Sequence, residues 1–154
     1  MTQFHRFLRQ PLLLLLIFVQ LWAFPVIASV NTPDSVVVVV AKNSPLNQLS
    51  TQDIEYIYSG KITILKNGIK PVPLDIRNNT QLRQDFYGRL LNVSMEKFDA
   101  FWARLLFTGH ATPPRLMASE QSVLDTVAHN ALTMGFAYRR DVDNRQLQII
   151  AELH

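Results

Sequence analysis

Gly68-Ile69-Lys70-Pro71-Val72-Pro73-Leu74-Asp75-Ile76-Arg77-Asn78-Asn79-Thr80 is the stretch whose reading decides how this chain folds. Asn67-Gly68 before it is a turn signal. Lys70 to Ile76 reads as a short strand, and Pro71 and Pro73, which lack a backbone N–H, predict an edge or irregular position for it. Thr80 is a helix N-cap, and Leu82, Phe86 and Leu90 repeat every four residues along the helix that follows. A strand thus delivers Arg77, Asn78, Asn79 and Thr80 to the start of a helix. First-turn N–H groups have no intrahelical acceptor, and the helix dipole favours negative charge there. A guanidinium beside them adds a forked donor pair. The arrangement suits a small oxyanion. The plain alternative for Arg77 is a surface ion pair with Asp75 or Asp85.

Working outward, Ser35 to Ala41 contains five consecutive valines between Pro33-Asp34 and Asn43-Ser44-Pro45, and reads as a buried strand. Leu49, Ser50, Asp53 and Ile54 form a helix start: Ser50 accepts from the Asp53 N–H, and Leu49 staples onto Ile54. Ile54, Ile57 and Tyr58 supply its apolar stripe, and Gly60 ends it. Downstream, Ser94 caps a helix whose apolar face is Phe98, Phe101, Trp102, Leu105 and Leu106, closed by Gly109 and Pro113-Pro114. Ser119 begins another, with Val123, Leu124 and Val127 inward. Thr133 to Tyr138 and Gln146 to Ile150 read as strands joined by a turn at Asp141-Val142-Asp143-Asn144. Alternating strands and helices predict an α/β fold with crossover helices.

Residues 1–28 have the build of a secretory signal. Arg6 and Arg9 precede an apolar run from Pro11 to Phe24, and Val26-Ile27-Ala28 offers a cleavage site before Ser29. The rival is an uncleaved membrane anchor, since Pro11 to Ala28 is near the lower length limit for a span. Either reading exports residues 29–154, which are one domain's worth. The whole chain carries 15 basic and 12 acidic side chains; without Arg6 and Arg9 the balance is 13 to 12, which gives no electrostatic case for nucleic acid. The absence of cysteine excludes disulfides, thiolate metal sites and thiol nucleophiles, and suits a bacterial periplasm. His5, His110, His129 and His154 include no pair at i, i+4 spacing, and no Gly-x-Ser-x-Gly elbow exists. We therefore expect no metal, no cofactor and no catalysis.

Two further segments are candidates for ligand contact. The Asn43-Ser44 loop follows a buried strand, and open α/β sheets bind ligands at strand carboxyl ends; it reads equally as a plain turn into Pro45. Thr108 and Gly109 form either a binding loop or a helix terminator. Gly135, between Met134 and Phe136, reads as a site of close backbone packing.

Several of these segments together resemble a known family. They are Val36 to Ala41 with Lys42-Asn43-Ser44-Pro45, Leu49 to Gly60-Lys61, Arg77 and Thr80 continuing through Arg83, Phe86 and Tyr87, Trp102, Phe107-Thr108-Gly109 with Pro113-Pro114, and Met134-Gly135-Phe136. In this order and spacing they resemble short, exported, phosphate-binding-protein-like domains related to the substrate-binding subunit of phosphate ABC transporters. The resemblance implies a reduced, single-lobe type II periplasmic-binding-protein-like fold with a mixed sheet. It further implies a phosphate-like ligand, a membrane transporter or sensor as partner, and contacts from Asn43, Ser44, Arg77, Asn78, Asn79, Thr80, Thr108 and Gly109. Where the larger receptors have a Ser-Gly-Thr-like run after the arginine, this chain has Asn78-Asn79-Thr80. A ligand-free interaction or sensory module on the same fold is the alternative.

Overall fold

The computed structural model describes residues 34–78, 80–109 and 112–154. The signal reading of residues 1–28, Asn79 and the His110-Ala111 pair lie outside the described residues. Chain order is β1 (Val36–Ala41), α1 (Thr51–Tyr58), β2 (Val72–Ile76), α2 (Gln81–Leu91), α3 (Met95–Thr108), β3 (Arg115–Met117), α4 (Glu120–His129), β4 (Thr133–Tyr138) and β5 (Leu147–Leu153). The five strands form one mixed sheet in the order β3-β2-β4-β1-β5. β2 runs parallel to both β3 and β4, while β1 is antiparallel to β4 and β5. The expected mixed α/β sheet is present.

Local chemistry accounts for the elements. Ser50 and Asp53 form a capping box on α1, and Thr80, Ser94 and Ser119 each accept an N–H from the first turn of their helices. α3 ends at Gly109, whose φ of +67° is a left-handed conformation that glycine adopts without strain. The valines of β1 are fully buried because helices cover both faces of the sheet. Successive residues of β4 show those faces. Phe136 stacks on Phe86 of α2, with ring centroids 3.9 Å apart. Gly135 instead meets Val123 and Val127 of α4. Side chains alternate along a strand, so α2 and α4 lie on opposite faces. α1 joins the α2 face, where Tyr58 packs edge-on to Phe86 and its hydroxyl donates to the Leu74 carbonyl at 3.1 Å.

Four expectations need correction. β2 is an interior strand rather than an edge. It tolerates Pro73 because alternate N–H groups point to alternate neighbours: Val72 donates to Leu132 on the β4 side, and Arg77 to Met117 on the β3 side. That period places the Pro73 nitrogen on the β3 side, where pairing begins only at Leu74. The strand Arg115–Met117 was not expected; three residues with one charge carry no readable pattern. β5 runs on to Leu153. Leu106 is exposed, and Phe107 beside it is 97% exposed, because α3 packs on α2 through Phe98, whose ring meets Tyr87, and its last turn extends past that contact.

A buried ion pair ties β2 to α2. Asp75 and Arg83 are 1% and 7% exposed. Arg83 Nε donates to Asp75 Oδ1 at 3.0 Å and Nη2 to Oδ2 at 3.0 Å, while Nη2 also reaches Asp99 of α3 at 3.1 Å. Burial pushes the Asp75 carboxyl up against the pull of Arg83 and of the Ile76 N–H. Burial also opposes the Arg83 charge, but the bonds to Asp75 and Asp99 outweigh it and hold the guanidinium above its ordinary value. The pair joins the end of β2 to the first turn of α2 and so fixes the ends of the Arg77–Thr80 loop.

Two substitutions test this packing by urea denaturation. Gly135→Ala puts a methyl into Val123 Cγ1 and 3.2 Å from Val127 Cγ2, and overpacking of this kind costs about 1–3 kcal/mol. Arg83→Ala strands the Asp75 carboxylate, and breaking a buried pair costs about 3–5 kcal/mol. An unchanged midpoint in either variant contradicts the packing described.

Candidate functional site

Two crossovers leave neighbouring parallel strands toward opposite faces of the sheet. The chain leaves β2 into α2, and leaves β3 into α4. β2 and β3 are adjacent, so their outgoing loops diverge and open a crevice at the carboxyl ends of the strands. A pocket of about 330 Å³ lies there. Ile76 and Asn78 line it from the end of β2, and Thr80, Gln81 and Leu82 from the start of α2. Ala118, Ser119 and Glu120 line it from the start of α4, and Tyr138 from the end of β4.

The donors on offer are main-chain amides. The Thr80 hydroxyl takes the Arg83 N–H at 3.2 Å, and the Ser119 hydroxyl takes the Ser122 N–H at 3.2 Å. Each cap satisfies the third residue of its helix. The N–H groups of Gln81, Leu82, Glu120 and Gln121 have no acceptor among the described residues. Two helices of 11 and 10 residues thus present free amides and positive dipole ends at one pocket.

Tyr138 joins the two helices across the pocket floor. Its N–H donates to Glu120 Oε1 at 3.2 Å, and its hydroxyl donates to Asp85 Oδ2 of α2 at 3.1 Å. Burial, then Asp85, pushes the Tyr138 hydroxyl up to about 12, so it stays a donor across the physiological range. Burial also pushes the Glu120 carboxyl up, against the bond from the Tyr138 N–H and with help from Asp141. Among the described residues that line the pocket, Glu120 is the one with a charged side chain.

The candidate residues are distributed as follows. Asn78 and Thr80 line the pocket. Arg77 lies between lining residues Ile76 and Asn78; it is exposed and makes no ion pair among the described residues. Neither pairing alternative for it occurs, because Asp75 is held by Arg83 and Asp85 by Gln81 and Tyr138. Asn43 and Ser44 belong to the other end of the sheet. The Ser44 hydroxyl donates to the Ala131 carbonyl just before β4 and accepts from the Leu46 N–H, while the pocket lies past the end of β4. At about 3.3 Å per residue, those ends are about 20 Å apart. β1 is antiparallel to β4, so its carboxyl end faces away from the pocket. Thr108 and Gly109 close α3: the Thr108 hydroxyl donates to the Leu105 carbonyl at 3.0 Å, and neither residue lines the pocket.

Sequence reasoning missed Ser119, Glu120 and Tyr138 as site residues. Ser119 was legible as a helix cap. Without the strand Arg115–Met117, nothing in the sequence brings that cap beside Thr80.

The fold has counterparts among solved structures. An ABC-type phosphate transport receptor from Vibrio cholerae superposes with a TM-score of 0.58 at 21% identity, over 76% of this chain and 45% of the receptor. A protein from Clostridium perfringens, assigned as a phosphate ABC transporter substrate-binding protein and solved with bound phosphate, gives 0.59 at 19% identity, over 76% and 44%. PstS from Borrelia burgdorferi gives 0.56 at 12% identity, over 77% and 47%. No protein-family model and no curated protein matches the sequence. This chain spans less than half the length of each of these structures, and its fold is that of a single-lobe portion of a phosphate-receptor-like, periplasmic-binding-protein architecture.

Proposed function

We propose that the chain is an exported, non-enzymatic solute-binding domain that captures phosphate or a similar small oxyanion between the first turns of α2 and α4. The observation that carries this reading is the pair of helix N-termini opening on one pocket, whose lining includes Gln81, Leu82 and Glu120, each with an N–H that has no acceptor among the described residues. Likeness in fold to phosphate receptors, one of them solved with phosphate, supports it. In this reading Arg77 reaches over the rim as the charged clamp, and Asn78 and Thr80 shape the mouth. Residues 1–28 direct export to the periplasm, and the partner is an ABC-type membrane transporter or a sensor. Glu120 in the lining favours a second reading, a ligand-free interaction or sensory module, since a carboxylate repels an oxyanion.

Calorimetry with inorganic phosphate separates the two. The oxyanion reading expects millimolar or tighter binding that weakens in Arg77→Ala and in Gln81→Pro. Proline is favoured at the first helical position, and Thr80 already has the extended backbone that a following proline demands. Gln81→Pro therefore deletes one amide and keeps the helix. A hydrogen bond to a charged group is worth about 1.5–3 kcal/mol, so affinity falls about tenfold or more. No heat, with an unchanged melting temperature in ~100 mM phosphate, supports the module instead.

A further inference from the structure

The pocket is larger, and more acidic, than a bare oxyanion asks for. Ligand pockets for organic molecules begin at roughly 300 Å³, and this one measures about 330 Å³. Ile76, Leu82 and Ala118 give it apolar wall as well as amide donors. Among the described residues that line it there is no lysine or arginine, yet there is one carboxylate. Only Oε1 of Glu120 is bonded, to the Tyr138 N–H; Oε2 has no partner among the described residues. Glu120 has no ion pair among the described residues. Asp141 adds negative charge, and Asp85 lies at the far end of Tyr138. Arg140 stacks on the Tyr138 ring but is engaged by Asp34 and Asp141.

Resting on the oxyanion reading above, we propose that the pocket takes a zwitterion: an organic phosphate or phosphonate whose oxyanion meets the α2 and α4 amides and whose ammonium group meets Glu120. The apolar wall then covers the short carbon link between the two charges. Glu120, an obstacle to phosphate, becomes the residue that selects for an amine. A partly desolvated ion pair with a cationic ligand gives specificity more surely than it gives raw affinity.

Calorimetry with three probes on the protein and on Glu120→Gln tests the proposal. The probes are 2-aminoethylphosphonate, ethylphosphonate and inorganic phosphate. Glutamine keeps an acceptor for the Tyr138 N–H, so circular dichroism and melting should report an intact fold. On the unaltered protein 2-aminoethylphosphonate should bind about tenfold or more tighter than ethylphosphonate, a difference of about 1.4 kcal/mol. In Glu120→Gln the gap should close, with ethylphosphonate binding strengthened. Equal binding of the two phosphonates, a gap that survives in Glu120→Gln, or phosphate binding as tightly as 2-aminoethylphosphonate overturns the zwitterion proposal and leaves the oxyanion reading standing. No binding of any probe overturns both.

Discussion

The adjacency of β2 and β3, two parallel strands whose outgoing helices cover opposite faces, is the constraint on which the rest depends. Crossovers between parallel strands are right-handed almost without exception. The chain moves one way across the sheet from β2 to β3, and back the other way from β3 to β4. With handedness fixed, that reversal sends the α2 side and the α4 side to opposite faces, as Phe136 and Gly135 report. Loops that part in this manner cannot fill the space above the sheet, and the pocket is what they leave.

Side chains then hold the crevice to shape. The Asp75–Arg83 pair pins the first turn of α2 to β2, so the Arg77–Thr80 loop is spanned at both ends by a charged contact. On the other side Gly135 lets α4 settle directly on β4. Tyr138 completes the frame, with its main chain bound to α4 through Glu120 and its hydroxyl bound to α2 through Asp85. Each contact positions an amide-bearing helix end, and none of the three consumes the free amides.

Much of this was legible in the sequence because it was encoded locally. The valine run, the four capped helix starts and the left-handed Gly109 each depend on a few neighbouring residues, and the close packing at Gly135 is signalled by a glycine inside a strand. What was not legible depends on long-range pairing. Arg115–Met117 becomes a strand because β2 offers it a ladder, not because its residues favour one. The direction of β1 relative to β4 cannot be read from five valines, and it carries Ser44 to the end of the sheet opposite Thr80. The single-lobe fold inferred from resemblance agrees with the solved phosphate receptors in fold. The partition of candidate residues does not follow from resemblance: Asn78 and Thr80 line the pocket, whereas Asn43, Ser44, Thr108 and Gly109 do not.

The most direct test of the central claim is a ¹⁵N–¹H spectrum titrated with inorganic phosphate. Convergence of two helix N-termini on one anion predicts that the amides of Gln81, Leu82, Glu120 and Gln121 shift together along a single saturating curve. Largest shifts at Asn43 and Ser44, or shifts at only one of the two helix starts, would contradict it.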